Sequence, residues 1–302
     1  MRVSTLKLAA FAAVALTATS FASTGHDHTL CSGFVPENDM KIPVGQVRSL
    51  NRMDTPTAGI SEEQFNQVID RVEKLYAAEF TEAGAKLQAN RKWNDPTVNA
   101  SAQQSGTTWI INMYGGLARH AAINVEGFAL VACHEIGHHI GGAPKKESWW
   151  GSAWATNEGG SDYFATLKCL RKYFAEDDNE TIIANTQIEP LVQSNCETQF
   201  ATRQDQLICM RSSIAGMSVA TLFMDLRKET KQPKFDTPDT KVVRQMDHNH
   251  PGTQCRLDTY FQGAICKVDV SARLSNSDYR EGSCAAPVDT VGLRPLCWFK
   301  PD

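Results

Sequence analysis

Apolar residues recur at a spacing of three and four along most of the chain, which is the pattern of helices that bury one face. Two shorter stretches, 98–103 and 107–113, alternate between apolar and polar residues and predict strands. The sequence therefore predicts an α+β fold that is mainly helical and has a small sheet. The predicted helices cover residues 61–87, 121–140, 157–174, 203–227 and 251–263.

The N-terminal segment has the features of an export signal rather than of a folded element. The basic residues Arg2 and Lys7 are followed by the uncharged stretch 8–19. Small residues at positions 20 and 22 then provide a site for cleavage by signal peptidase after Ala22. The uncharged stretch is shorter than a membrane span requires. We therefore predict a signal peptide over residues 1–22, an irregular leader or short pro-segment over residues 23–58, and one domain over residues 59–302.

Composition and charge restrict the functions that the chain can have. Of its 302 residues, 42% are hydrophobic and 21% are charged, which is typical of a globular protein. The net charge of −4 gives no bulk attraction for nucleic acid or for an anionic membrane surface. We expect a protein without nucleic-acid partners and, once the signal peptide is removed, without a membrane span.

Nine cysteines support the prediction of export, because disulfides persist in oxidising compartments. We therefore expect a periplasmic or secreted protein. Sequence does not determine the pairing, but short separations favour Cys255–Cys266 and Cys284–Cys297 in a disulfide-rich C-terminal tail. Cys133 lies in an apolar helix and is predicted to be the buried cysteine that stays unpaired.

Candidate metal ligands occur within the predicted helix 121–140, where His134, Glu135 and His138 form the pattern H-E-x-x-H. Residues four apart lie on the same helix face, so the two imidazoles can bind one metal ion. Zinc lowers the pKa of a water molecule toward 7, and Glu135 is placed to take the proton of that water. The apolar residues 128–133 predict that this helix is buried.

A third ligand is available at the start of the next predicted helix. Glu158 follows His138 by 20 residues, and a carboxylate there completes a three-ligand catalytic zinc site with one open position. Asp162 lies one turn after Glu158 and is predicted to accept a hydrogen bond from the second ring nitrogen of a ligand, preferably His134. The alternative is a carboxylate pair that stabilises a helix N-terminus.

Taken together, these residues resemble the gluzincin metallopeptidases, the group to which thermolysin belongs. The resemblance covers residues 132–164 and rests on H-E-x-x-H, on N-E-x-x-S-D and on their separation. It implies a zincin-type domain with an active-site helix and a second ligand helix, one catalytic zinc ion, and endopeptidase activity. The implied site residues are three metal ligands, one general base and one carboxylate that orients a ligand, namely His134, His138, Glu158, Glu135 and Asp162.

A weaker resemblance, to the soluble relatives of the membrane prenyl-protease and heat-shock-protease family, rests on His250 and Pro251 followed by Arg256. Pro251 keeps the preceding residue extended and places His250 at the mouth of a helix. We expect His250, rather than His248, to stabilise the oxyanion; the alternative is a solvated loop histidine. Arg256 is expected to support the site carboxylates or bind substrate, or else to form a surface ion pair.

The leading hypothesis is an exported zinc-dependent endopeptidase that acts on a polypeptide substrate. The segment 109–114 is a candidate edge strand for pairing with an extended peptide, and an ordinary sheet strand is the alternative. Two other functions remain open: a zinc-dependent hydrolase of non-peptide amide bonds, and an inactive zinc-stabilised binding module. A purely structural zinc site would close all four positions and would have no need of Glu135.

Overall fold

A computed structural model describes residues 33–46, 59–146 and 154–301, so the predicted signal peptide and part of the predicted leader lie outside the described residues. The mainly helical α+β fold with a small sheet is confirmed. In chain order the elements are α1 (Glu62–Glu82), β1 (Lys86–Lys92), β2 (Ala100–Ser105), β3 (Thr108–Tyr114), α2 (Gly115–Ala118), α3 (Val125–Ile140), α4 (Glu158–Phe164), a π-helical turn (Ala165–Cys169), α5 (Leu170–Tyr173), α6 (Asn179–Ala184), α7 (Pro190–Gln199), α8 (Arg203–Leu226) and α9 (Thr253–Ile265).

Helix α1 begins where the sequence predicts but ends earlier. Gln64 N donates to Ser61 Oγ at 3.2 Å, and Ser61 N donates to Gln64 Oε1 at 2.9 Å. These two reciprocal bonds satisfy N–H groups that the first turn of a helix leaves open. The predicted extension to residue 87 is wrong, because Gly84 adopts a φ of +74° and turns the chain into β1.

The sheet has the strand order β1–β3–β2, with β1 parallel and β2 antiparallel to β3. Strand β3 therefore has a neighbour on each side, and the prediction that residues 109–114 form an edge strand is wrong. A central strand with four consecutive buried residues fits this position, because both of its faces are covered.

Residues 33–46, the described part of the predicted leader, run along β2 and are called the N-terminal strap. Phe34 N donates to Ala100 O at 2.8 Å, and Lys41 forms an antiparallel bridge with Thr97. Three apolar side chains of the strap are buried in the main core: Phe34, Val35 and Ile42. The strap therefore contributes to the same core as the helices and the sheet.

Helix α8 packs against α3, α7 and α9 and forms the centre of the helical part of the fold. Its length and apolar composition would suit a membrane span. However, 83% of its most apolar window is buried within the protein, which is the behaviour of a core helix.

Four disulfides hold the described chain together, and they indicate an oxidising, extracellular compartment. The pairs are Cys133–Cys169, Cys196–Cys209, Cys255–Cys297 and Cys266–Cys284. The predicted local pairs are wrong. Cys255 and Cys266 are at opposite ends of α9, about 16 Å apart at the rise of a helix and too far for a bond. Cys133 is not free, because the π-helical turn brings Cys169 against α3.

Candidate metal centre

Helix α3 carries the two histidines of the H-E-x-x-H pattern in the interior of the protein. Its residues from Gly127 to His139 are all buried, and Asn124 caps its first turn by accepting from Gly127 N at 2.8 Å. Helix α4 begins at Glu158 and is capped in the same way, because Asn157 Oδ1 accepts from Gly160 N at 2.9 Å. The two caps fix the positions of the first turns of α3 and α4, and therefore the positions of the candidate ligands on these helices.

Three side chains converge between α3 and α4. His134 Nε2 lies 3.0 Å from His138 Nε2 and 3.3 Å from Glu158 Oε2. His138 Nε2 lies 3.7 Å from Glu158 Oε1. All three residues are completely buried, and their ligand atoms lie within 4.8 Å of one another. They form a group that could hold a metal ion.

The other ring nitrogens of the two histidines determine their tautomers. His134 Nδ1 donates to Asp162 Oδ1 at 2.7 Å, and His138 Nδ1 donates to Thr156 O at 2.8 Å. A neutral imidazole whose Nδ1 is protonated presents Nε2 as the unprotonated nitrogen, which can bind a cation. Burial alone would lower the pKa of His134, but Asp162 and Glu158 outweigh it and raise that pKa to about 9, so a cation, either a proton or a metal ion, is stabilised at the two Nε2 atoms, which lie 3.0 Å apart. The donor set therefore fits a metal ion.

Asp162 connects the three candidate metal ligands to α9. Arg256 donates to it twice, from Nε to Oδ2 at 2.8 Å and from Nη2 to Oδ1 at 2.7 Å. Tyr260 Oη donates to Oδ1 at 3.0 Å. Burial alone would raise the pKa of Asp162, but Arg256 and His134 outweigh it and hold that pKa below its usual range. Of the alternatives for Arg256, the structure shows support of a site carboxylate.

A glycine allows the two ligand helices to approach each other. A Cβ atom on Gly137 would lie 2.9 Å from Phe164 Cδ1 and 3.1 Å from Ser161 Cα. Both distances are below ordinary van der Waals contact, so a larger residue would push α4 away from α3. The Cys133–Cys169 disulfide joins α3 to the π-helical turn that follows α4.

Glu135 is buried without a hydrogen bond. Neither of its carboxylate oxygens has a partner within the described part of the chain. Burial, helped by the nearby Glu158 carboxylate, raises the pKa of Glu135 to about 8, although His134 lowers it. A buried polar group without a partner costs about 1–3 kcal/mol. Stability therefore does not explain why a glutamate occupies this position.

His250 lies next to the candidate metal ligands. Its Nε2 is 3.6 Å from Glu158 Oε2 and donates to Gly33 O of the strap at 2.7 Å. Burial lowers the pKa of His250, so the imidazole is neutral at pH 7. The other candidate, His248, lines a neighbouring cavity. His139 points away from the ligands, and its Nε2 donates to Ile110 O at 3.2 Å.

Two residues of the site, Lys146 and Phe34, cannot be identified from a sequence motif. Lys146 Nζ donates to Glu158 Oε1 at 2.8 Å, which places an ammonium group on a candidate ligand. The strap covers the opposite side, where the Phe34 ring lies 4.8 Å from the His134 ring and Phe34 O accepts from Arg256 Nη1 at 2.9 Å. Neither Lys146 nor Phe34 belongs to a motif, and only the folded chain brings them to the histidines.

No family model matches the chain, and comparisons with curated proteins and with solved structures find no similar protein. The chemistry of the site is therefore the basis for a functional proposal.

Proposed function

We propose that the protein is an exported zinc-dependent endopeptidase, with His134, His138 and Glu158 as the zinc ligands. Two imidazole nitrogens and one carboxylate are a ligand set of catalytic zinc, and they leave one position open. The observation that carries the proposal is the buried carboxylate of Glu135, which lies next to the ligand group and has no hydrogen-bond partner within the described chain. The disulfides support export, because they require an oxidising compartment.

Zinc would supply Lewis-acid chemistry, since it makes a water molecule acidic near neutral pH and polarises a peptide carbonyl. Glu135 takes the proton of the attacking water and later gives it to the leaving amine. Burial raises the pKa of Glu135 in the metal-free protein, and a zinc ion bound beside it would lower that pKa, so that the carboxylate can accept a proton near neutral pH. His250 is a neutral donor, and its Nε2–H stabilises the oxygen of the scissile carbonyl as negative charge develops there.

Residues behind the ligands keep this arrangement in place. Arg256 and Tyr260 hold Asp162, and Asp162 keeps His134 in the tautomer whose Nε2 faces the ligand group. The completely buried positions of His134 and Glu135 mean that a peptide reaches them only after the site opens. For His250 to serve a substrate oxygen, it must exchange its hydrogen bond to Gly33 O for one to the peptide.

The test compares the wild type with Glu135→Gln, which keeps the size of the side chain and removes the carboxylate. Both proteins are assayed for zinc content and for cleavage of an unfolded protein. We expect about one zinc ion per chain in both and a loss of cleavage of at least about 100-fold in Glu135→Gln. Glu126→Gln, on the first turn of the same helix, is the matched control and should cleave normally.

Two outcomes would contradict the proposal. If Glu135→Gln cleaves like the wild type, Glu135 is not the base. If the folded wild type binds no zinc, the ligand assignment is wrong. Hydrolysis of small amides without cleavage of peptides would instead favour an amide hydrolase.

A further inference from the structure

A cavity of about 740 Å³ lies beside the candidate metal centre. Its described lining comes from Lys146 and from the segment 241–249. Among the described lining residues, three carry a positive charge, namely Lys146, Lys241 and Arg244, and one, Asp247, carries a negative charge. The whole protein carries a net charge of −4. The cavity is therefore locally basic in a protein that is acidic overall.

Separate contacts attach this cavity to the metal centre. Lys146, in its wall, donates to Glu158 Oε1 at 2.8 Å. Asp247, also in the wall, accepts through its carbonyl from Asn157 Nδ2 at 3.3 Å, and Asn157 caps the helix that begins with Glu158. His250, the next residue after the lined segment, lies 3.6 Å from Glu158 Oε2.

Lys146 stands between the cavity and the metal ligand. Its side chain is 20% exposed, whereas that of Glu158 is completely buried. A peptide in the cavity therefore meets the Lys146 ammonium before it meets the ligand group. Lys241 is more exposed, at 60%, and lies 3.8 Å from the Asp247 carboxylate. Exposed ion pairs of this kind contribute little to stability, so a stabilising role does not account for Lys241.

We propose that the cavity is a substrate subsite that selects a carboxylate close to the scissile bond, with Lys146, Lys241 and Arg244 as the specificity-determining residues. The inference rests on the proposed endopeptidase function and names its substrate class. The carboxylate belongs either to an acidic side chain, as in an endopeptidase, or to the C-terminus of the substrate, which would make the enzyme a carboxypeptidase with the same zinc chemistry. Both carry the same charge, and complementary charge gives specificity in a partly enclosed cleft.

The experiment measures peptide binding to the zinc-loaded Glu135→Gln protein, which cannot complete the reaction. Peptides with amidated C-termini are identical except for Glu, Gln or Lys at one position on either side of the central bond. A fourth peptide has no acidic residue and a free C-terminal carboxylate. We expect the Glu peptide to bind about tenfold more tightly than the Gln peptide at low salt, and this ratio to shrink as salt is added. Tight binding of the fourth peptide alone would assign the subsite to the C-terminus.

A charge reversal tests the assignment to these residues. Combining Lys241→Glu with Arg244→Glu changes exposed positions and should leave the zinc content unchanged. We expect it to reverse the order of affinities, so that the Lys peptide binds best. Lys231→Glu with Lys234→Glu is the matched control, because it makes the same change of charge at exposed residues that do not line the cavity. Lys146→Met should abolish the preference.

The subsite is refuted if the Glu and Gln peptides bind equally at low salt, if no peptide binds, or if the charge reversal leaves the order unchanged. These results differ from a failure of the proposed function. Zinc-dependent cleavage by the wild type without any charge preference overturns the subsite alone. A folded wild type that neither binds zinc nor cleaves overturns the endopeptidase proposal as well.

Discussion

Arg256 and Asp162 form an ion pair with two hydrogen bonds in which both side chains are completely buried. The rings of Phe34 and Phe223 lie 4.6 and 4.1 Å from the guanidinium carbon and separate the pair from water. A buried charge that loses its partner is strongly destabilised. Loss of either side chain would therefore destabilise the other. The pair also orients the His134 ring, because Asp162 Oδ1 accepts a hydrogen bond from His134 Nδ1.

Replacing Asp162 by Asn should harm folding and metal binding together. The buried Arg256 would lose its counter-charge, which lowers the free energy of unfolding by about 3–5 kcal/mol. His134 would lose the acceptor that orients it, which weakens zinc binding by about 10–100-fold. Urea unfolding of the metal-free protein and competition with a zinc chelator measure the two effects. Asp70→Asn, at a residue that is 64% exposed, should change neither.

Gly137→Ala should weaken metal binding through the distance between the ligand helices. The new methyl group would meet Phe164 Cδ1 at 2.9 Å and Ser161 Cα at 3.1 Å, so α4 must move away from α3. We expect a loss of zinc affinity of about tenfold, because Glu158 moves with α4. Chelator competition measures this loss. A less stable protein with unchanged zinc affinity would show that Gly137 serves packing alone.

Removing the Cys133–Cys169 disulfide should affect both stability and the metal site. Cys133→Ala with Cys169→Ala opens a loop of 36 residues and should lower the free energy of unfolding by about 4 kcal/mol. Cys196→Ala with Cys209→Ala opens a loop of 13 residues and should cost about 3 kcal/mol. Only the first variant should bind zinc more weakly, because only that disulfide starts in the helix of the histidines. Equal zinc affinities would contradict this coupling.

The stability of the metal-free protein should depend on pH through Asp258. Burial raises the pKa of this carboxyl to about 6, although hydrogen bonds from Asp239 N and Gln254 oppose the change. The unfolded chain loses this proton near pH 4 and the folded chain only near pH 6, so stability falls as pH rises through that window. Compared with Asp258→Asn, the wild type should lose about 1–3 kcal/mol between pH 4 and pH 7. Urea unfolding across this range measures the difference, and a constant difference would exclude the effect.

Local pattern predicts the long elements of this fold and misses the short ones. Helices α3, α8 and α9 occur close to where apolar periodicity places them. The sequence does not predict helix α7, because only Val192 and Cys196 are buried along its ten residues and its apolar residues form no clear stripe. Strand β1 was hidden because its alternating residues directly continue the apolar spacing of α1.

The residues of the candidate site also fall into two classes, those that sequence spacing predicts and those that it does not. His134, His138, Glu158 and Asp162 lie at short spacings on two successive helices, and the structure brings them together. Helix geometry alone is enough to place such residues. Lys146, which donates to Glu158, lies in a loop, and the conformation of a loop cannot be predicted from a periodic pattern of residues. The disulfide partners likewise depend on long-range packing, which short separations in sequence do not reveal.

The hydrogen bond from Arg256 to Phe34 O joins positions 222 residues apart. A chain that is still being synthesised or translocated therefore contains the strap and the H-E-x-x-H helix long before α9 exists. Until α9 emerges, Asp162 lacks Arg256 and Tyr260, and the candidate metal ligands lack His250. A truncated chain would carry the motif without its supporting residues. The fold thus postpones completion of the candidate metal centre until α9 is available.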